Sequence, residues 1–210
     1  ATGLSNLIEW VVVGDQIEDI SENELEIWYE PQDRMSVQIQ PPGGEWSTII
    51  EPGEFIRNKL LVDGTVLSVF NELYDSSNGC NKISIYLAPF QDTTIVGITP
   101  GVWRVRLIGT QIRDGRYHGW IERDDPSKRG ATTWQFPSFF TPESNVDNSS
   151  ISTLGCGARI IAVANYDKDT EKINISSSQG PTRDGRKKPD IAAPGTRIIA
   201  ANGFEDDIHW

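Results

Sequence analysis

Between Leu7 and Arg123, apolar side chains recur at every second position in short runs that glycine-bearing turns interrupt. Met35, Val37 and Ile39 alternate with Ser36, Gln38 and Gln40, while Trp103, Val105 and Leu107 alternate with Arg104 and Arg106. A period of two puts successive side chains on opposite sides of an extended backbone. Each run therefore has one face for a core and one for water, as in an antiparallel sheet. Asp63-Gly64, Asn78-Gly79 and Asp114-Gly115 lie between such runs, where glycine accepts the positive φ of a tight turn, and each reads as a hairpin. Pro41-Pro42-Gly43-Gly44 and Pro52-Gly53 break further strands. No segment in this region carries a helical period. Many short strands with almost no helix predict a mainly β fold, an antiparallel β-sandwich of jelly-roll type, over residues 1–137.

A stretch rich in Ser, Asn, Pro and Asp at 138–150 reads as a linker to a different sequence style over 151–210. There, Arg159 to Val163 forms an almost continuous apolar run, and Arg197-Ile198-Ile199-Ala200-Ala201 forms a second. Unbroken apolar strands belong in a parallel sheet covered on both faces, so this part reads as α/β, with its covering helices expected outside the chain.

With 210 residues, 37% of them hydrophobic, the chain can bury a core in one or two domains. Seven Trp suit a rigid β structure better than a disordered one. A net charge of -11, most of it carried before residue 143, disfavours nucleic acid and anionic lipid, both of which reward clustered Lys and Arg. The acidity reads as a solvated surface. Cys80 and Cys156 fall in different predicted domains and read as two free thiols. No apolar run approaches eighteen residues, so no membrane segment is expected. Asn148-Ser149-Ser150 and Asn174-Ile175-Ser176 fit a glycosylation sequon short enough to arise by chance. His118, beside Trp120 on a strand and with no second ligand at metal spacing, reads as a surface histidine. The sequence leaves the oligomeric state open.

The most specific motif lies late in the chain: Ser177-Ser178-Gln179-Gly180-Pro181-Thr182, then Asp184-Gly185, then Lys188-Pro189-Asp190-Ile191-Ala192-Ala193-Pro194-Gly195. It resembles the segment that leads to the nucleophile in subtilisin-like serine proteases, the subtilase or peptidase S8 family, with Ser176 where the family carries Phe. Ile160 to Asp167 resembles that family's buried strand, with Ala164 and Asn165 in place of Gly and Ala. Asn23 to Tyr29, and Thr99 to Leu107 with Asp114 to Ile121, resemble an early strand and the closing hairpin of jelly-roll domains inserted in such enzymes.

The resemblance implies a parent that hydrolyses peptide bonds through an acyl-enzyme, with a peptide or protein as its substrate. It also favours an extracellular or cell-envelope setting, which the sequence itself leaves open. Within these residues no catalytic residue is assigned. The Gly-Thr-Ser-Met-Ala nucleophile motif is absent, His118 and His209 do not sit in the family's histidine motif, and the motifs of the orienting Asp and the oxyanion Asn are missing. The chain is therefore expected to be an internal, inactive piece of a protease, cut between the oxyanion Asn and the nucleophile.

By the same resemblance, Ser152 to Gly155 would wall the pocket for the substrate residue before the scissile bond. Asp190, with main-chain oxygens of Gly155, Gly157 and Ile160, would hold a weak Ca²⁺ or Na⁺, although no cofactor is required. The plain alternative is that Asp190 caps a turn or pairs with Lys187 or Lys188. Ser176, Ser177 and Ser178 read as structural, because no base lies beside them in the sequence. A rival to the protease reading is a protein- or carbohydrate-binding β-sandwich module of a protease or pseudoprotease. Exposed Trp28, Trp46 and Trp120 would favour sugar stacking, whereas packed Trp would favour structure.

Overall fold

Strand alternation carries through into paired strands in a computed structural model that describes residues 2–14, 21–92, 95–124, 128–129, 133–134, 137–201 and 208–209. The chain forms two units, Ala1–Asn145 and Val146–Trp210.

The first unit begins with β1 (Ser5–Val12), β2 (Asn23–Tyr29), β3 (Arg34–Gln40) and β4 (Phe55–Leu60). It continues through β5 (Val66–Glu72), β6 (Asn81–Ala88) and the short β7 (Phe90–Gln91) and β8 (Ile95–Val96). The long β9 (Gly101–Gln111), β10 (Tyr117–Arg123), β11 (Lys128–Arg129), β12 (Thr133–Trp134) and β13 (Phe139–Phe140) complete it. The strands build a four-stranded sheet in the order β13-β1-β9-β3 and a five-stranded sheet in the order β10-β2-β6-β5-β4. Every pairing in both is antiparallel. Because β1, β3 and β9 lie in one sheet and β2 and β10 in the other, the chain crosses repeatedly between sheets, the winding expected of a jelly-roll-like sandwich.

Period two decides which side chains meet inside. Trp10 on β1 lies directly across from Trp103 on β9, and both are fully buried. Leu25, Ile27, Ile83 and Ile85 do the same across β2 and β6. These residues belong to one continuous apolar cluster. A buried amide joins the sheets through polar contacts: Asn71 on β5 donates to the carbonyls of Met35 (2.9 Å) and Ile50 (3.2 Å) and accepts from the Tyr29 hydroxyl at 3.3 Å. Burial pushes the Tyr29 phenol up to about 12.

Two of the three expected hairpin turns join paired neighbours. Asp63-Gly64 connects β4 to β5, Asn78-Gly79 connects β5 to β6, and Gly64 and Gly79 have φ of 91° and 75°. The third differs. β9 pairs with β1 and β3 while β10 pairs with β2, so Asp114-Gly115 is a crossover between sheets and the expected closing hairpin does not form. Its amides are held by the Asp33 carboxylate, a contact that sequence spacing does not reveal. Within 138–150, Phe139 and Phe140 pair with β1 and Ser144 accepts the Glu9 amide at 2.9 Å, so the stretch read as a linker begins as part of the sandwich.

In the second unit a 3-10 turn (Thr153–Cys156) precedes β14 (Val163–Asp167), β15 (Lys172–Ile173) and β16 (Ile191–Pro194). β17 (Ala200–Ala201) pairs with β18 (Ile208–His209). The three-stranded sheet has the order β15-β14-β16, with β14 and β16 parallel and Val163 opposite Ile191. Two expected boundaries shift. The strand read at Arg159–Val163 starts only at Val163, because Ile160 and Ala162 spend their backbone groups on Lys188 and Asp190. Of the run Arg197–Ala201, only Ala200–Ala201 is strand. Among the described residues no α-helix occurs, and no helix is long and apolar enough to cross a membrane.

Candidate functional site

The Gly180-Pro181 and Lys188-Pro189 bonds are both cis, and the backbones at Gly180 and Lys188 approach closely. A Cβ on Gly180 would lie 1.9 Å from the Lys188 carbonyl oxygen, so only glycine fits there. Between them, residues 182–186 close on a buried threonine. Thr182 donates its amide to the Arg186 carbonyl at 3.0 Å and accepts the Arg186 amide on its hydroxyl at 3.0 Å. The same hydroxyl donates to Asp184, whose other oxygen accepts from Arg186 Nε at 2.7 Å. The Thr182 hydroxyl and the Arg186 guanidinium hold the Asp184 carboxyl down at about 2.

Each residue assigned from the sequence can now be placed. Ser152 is exposed and precedes the 3-10 turn; its carbonyl accepts the amides of Gly155 (2.9 Å) and Cys156 (3.2 Å). A Cβ on Gly155 would meet Ile151 at 2.9 Å, and one on Gly157 would meet Ile160 at 2.8 Å, so both glycines permit tight local folding. The Gly157 carbonyl accepts the Ile160 amide at 3.2 Å. Asp190 and Ala162 hold each other: the Ala162 amide reaches Asp190 Oδ2 at 2.8 Å, and the Asp190 amide reaches the Ala162 carbonyl at 2.8 Å. Lys188 Nζ lies 2.6 Å from the same Oδ2 and also donates to the Ile160 carbonyl. The Lys188 and Ala162 donors hold the Asp190 carboxyl below the usual carboxylate range. Asp190 thus pairs with Lys188, while Lys187 is exposed.

The serines have backbone work. Ser177 Oγ accepts the Asn165 amide at 3.0 Å, and Ser176 donates its amide and hydroxyl to Asn174 Oδ1. Ser150 is tied to Gln179 through both backbone and side chain. Sequence reading marked Asn165 as a departure from the family strand but gave it no role; its Oδ1 accepts from Thr196 Oγ1 at 3.1 Å while that hydroxyl accepts from Asn174 at 3.0 Å. An amide where a small residue is usual was the available signal. The bridge links β14 to the chain just after β16.

In the first unit the aromatic faces have partners. The Arg106 guanidinium lies 3.8 Å from the Trp46 ring centre, Lys82 Nζ lies 5.3 Å from that of Trp28, and Trp120 stacks on His118 at 5.5 Å. His118 is therefore packed against an aromatic ring; the side chain of His209 lies outside the described residues. Cys80 and Cys156 are not joined in a disulfide. Among the described residues no group of three His, Cys, Asp or Glu could hold a metal.

The parallel pair β14/β16 and the turn feeding it fall within residues 125–207, which match the model of the subtilase family. This segment is subtilase-related. The match opens ahead of residue 151, where the sequence style changes. The fold also resembles that of the Clostridium perfringens CspB protease, with a TM-score of 0.71 and 18% identity over 97% of this chain and 39% of that one. The chain thus spans about two-fifths of the length of that protease, and at this identity the likeness is one of fold. No curated protein matches the sequence.

Proposed function

We propose that this chain is part of a subtilisin-like serine endopeptidase, and that its second unit supplies the sheet region that aims the chain toward the nucleophile. The observation that carries this reading is the parallel register of β14 and β16, Val163 to Ile191 and Tyr166 to Pro194, inside the subtilase-related segment. The Gly180 turn packs against Lys188, which leads into β16, and the Asn165–Thr196 bridge ties the chain just after β16 to β14. In the whole enzyme, a serine attacks the scissile carbonyl of a peptide or protein, histidine takes its proton, and amide donors stabilise the oxyanion. The residues here position that machinery and do not themselves carry out the chemistry. Ser152 and Gly155 remain the candidate wall for the substrate side chain before the scissile bond.

The sandwich serves as a rigid structural insert. Trp10 and Trp103 are in its core, and Trp28, Trp46 and Trp120 each have a face or edge engaged by a neighbour, which argues against a sugar-stacking platform.

The test is to incubate the purified 210-residue chain with casein and mixed fluorogenic peptides and to read the gene around it. We expect no turnover from the chain alone. In the gene we expect a Gly-Thr-Ser motif within roughly twenty residues after Trp210, with Asp, His and Asn motifs ahead of Ala1. Turnover blocked by a serine-directed phosphonate would overturn the positioning role. Absence of the flanking motifs would overturn the protease reading, and Ala or Gly in place of the serine would make the parent a pseudoprotease.

A further inference from the structure

We propose that the Lys188 ammonium takes the place of the metal ion that the family resemblance implies, so that the 155–162 loop is tied to the strand entering at Asp190 by an internal cation. Lys188 Nζ contacts two of the oxygens assigned to that ion, Asp190 Oδ2 at 2.6 Å and the Ile160 carbonyl. The Lys188 side chain is only 5% exposed, whereas that of Asp190 is 39% exposed, so the ammonium sits inward of its carboxylate. Asp190 Oδ2 also accepts the Ala162 amide at 2.8 Å.

An ammonium offers three donors and one positive charge, which suits a carboxylate plus a carbonyl. A Ca²⁺ or Na⁺ bound to the same oxygens would stand within about 5 Å of Nζ, given metal–oxygen distances of about 2.4 Å, and would be repelled by it. The residues present therefore do not fit a metal at this position. The inference concerns the loop tie and does not depend on the protease reading.

The experiment follows thermal unfolding of the 210-residue chain in choline chloride, NaCl and CaCl₂ at matched ionic strength, and after EDTA. For the natural chain the expected result is one midpoint in all four conditions, with no Tb³⁺ luminescence that Asp190→Ala removes. Lys188→Ala should lower the midpoint and recover part of the loss, saturably, with Na⁺ or Ca²⁺; adding Asp190→Ala should abolish the recovery. If Lys188→Ala does not fold, Lys188→Gln, neutral and of similar length, makes the same comparison. Saturable Ca²⁺ or Na⁺ stabilisation of the natural chain that depends on Asp190 would overturn the proposal. So would a folded Lys188 variant that gains no cation response, since its oxygens would then form no cation site.

Discussion

The Gly115 amide points into the Asp33 carboxylate at 2.7 Å, and the other Asp33 oxygen takes the amides of Arg113 (2.6 Å) and Asp114 (3.1 Å). Asp33 lies between β2 and β3, and residues 113–115 lie between β9 and β10. One fully buried carboxylate therefore locks together two crossovers that each pass from one sheet to the other.

Replacing Asp33 by Asn should cost about 2–3 kcal/mol at pH 7, because a neutral amide with one acceptor leaves buried N–H donors short of partners. Burial raises the Asp33 pKa, but the three amides outweigh it and hold the group below its ordinary 3.8. Its stabilisation is thus complete above about pH 4 and fades as pH falls through the lower folded value. Urea unfolding followed by Trp fluorescence from pH 7 to pH 3 should show this acid loss in the natural chain and a smaller one in Asp33→Asn. Equal stability of the two at pH 7 would refute the role.

Trp103→Ala should cost about 3–5 kcal/mol, since it empties a fully buried site and abandons the Nε1 bond to the Thr99 carbonyl at 2.9 Å. Trp46→Ala should cost only about 1 kcal/mol, because the half-buried ring mainly loses the Arg106 guanidinium above it. Denaturant midpoints of the two variants test the contrast, and similar losses would show that Trp46 belongs to the core.

What could be read from the sequence follows from what is local. Alternation at Met35, Val37 and Ile39 and at Trp103, Val105 and Leu107 encodes which faces are buried, because period two acts within a single strand. Ser36 breaks that rule: it is fully buried and bonds to Glu51, a partner fifteen residues away. The Asp114-Gly115 turn looks like the true hairpin turns, since glycine permits the same φ in each; only Asp33, eighty residues upstream, distinguishes it. In the second unit the motif from Gly180 to Gly195 announces a turn and a strand, yet the start of β14 depends on Lys188 and Asp190 capturing Ile160 and Ala162 from across the fold. The pairing of Asp190 with a neighbouring lysine was visible as one option, but its use of the Ile160 carbonyl was not.

Gly180→Ala should destabilise the second unit by about 3 kcal/mol or more, because the new methyl would overlap a backbone oxygen that cannot rotate aside. Gly185→Ala tests a different constraint: nothing lies within 4 Å of its Cβ, but its φ of 83° disfavours a side chain, so a loss of about 1 kcal/mol is expected. Hydrogen exchange at the amides of β14 and β16 would report both. Protection in Gly180→Ala equal to that in the natural chain would show that the close approach to Lys188 is not required.

Asp184 should titrate near 2 by NMR, well below its ordinary 3.8, chiefly because the Thr182 hydroxyl donates to it and secondly because of Arg186. Thr182→Val should return the midpoint toward 3.8, Thr182→Ser should keep it low, and 0.5 M NaCl should raise it only partly, because salt screens the exposed Arg186 pair but not the hydroxyl bond. With the folded pKa depressed, the stabilisation of the 182–186 turn is present above about pH 4 and is lost as pH falls toward 2. The protection factor of the Arg186 amide, whose N–H is held by Thr182 at 3.0 Å, should therefore fall over that interval in the natural chain. In Thr182→Val that protection factor should already be low at pH 5, for want of the acceptor. An Asp184 midpoint that does not move in Thr182→Val would assign the depression to Arg186 and remove the hydroxyl from its cause.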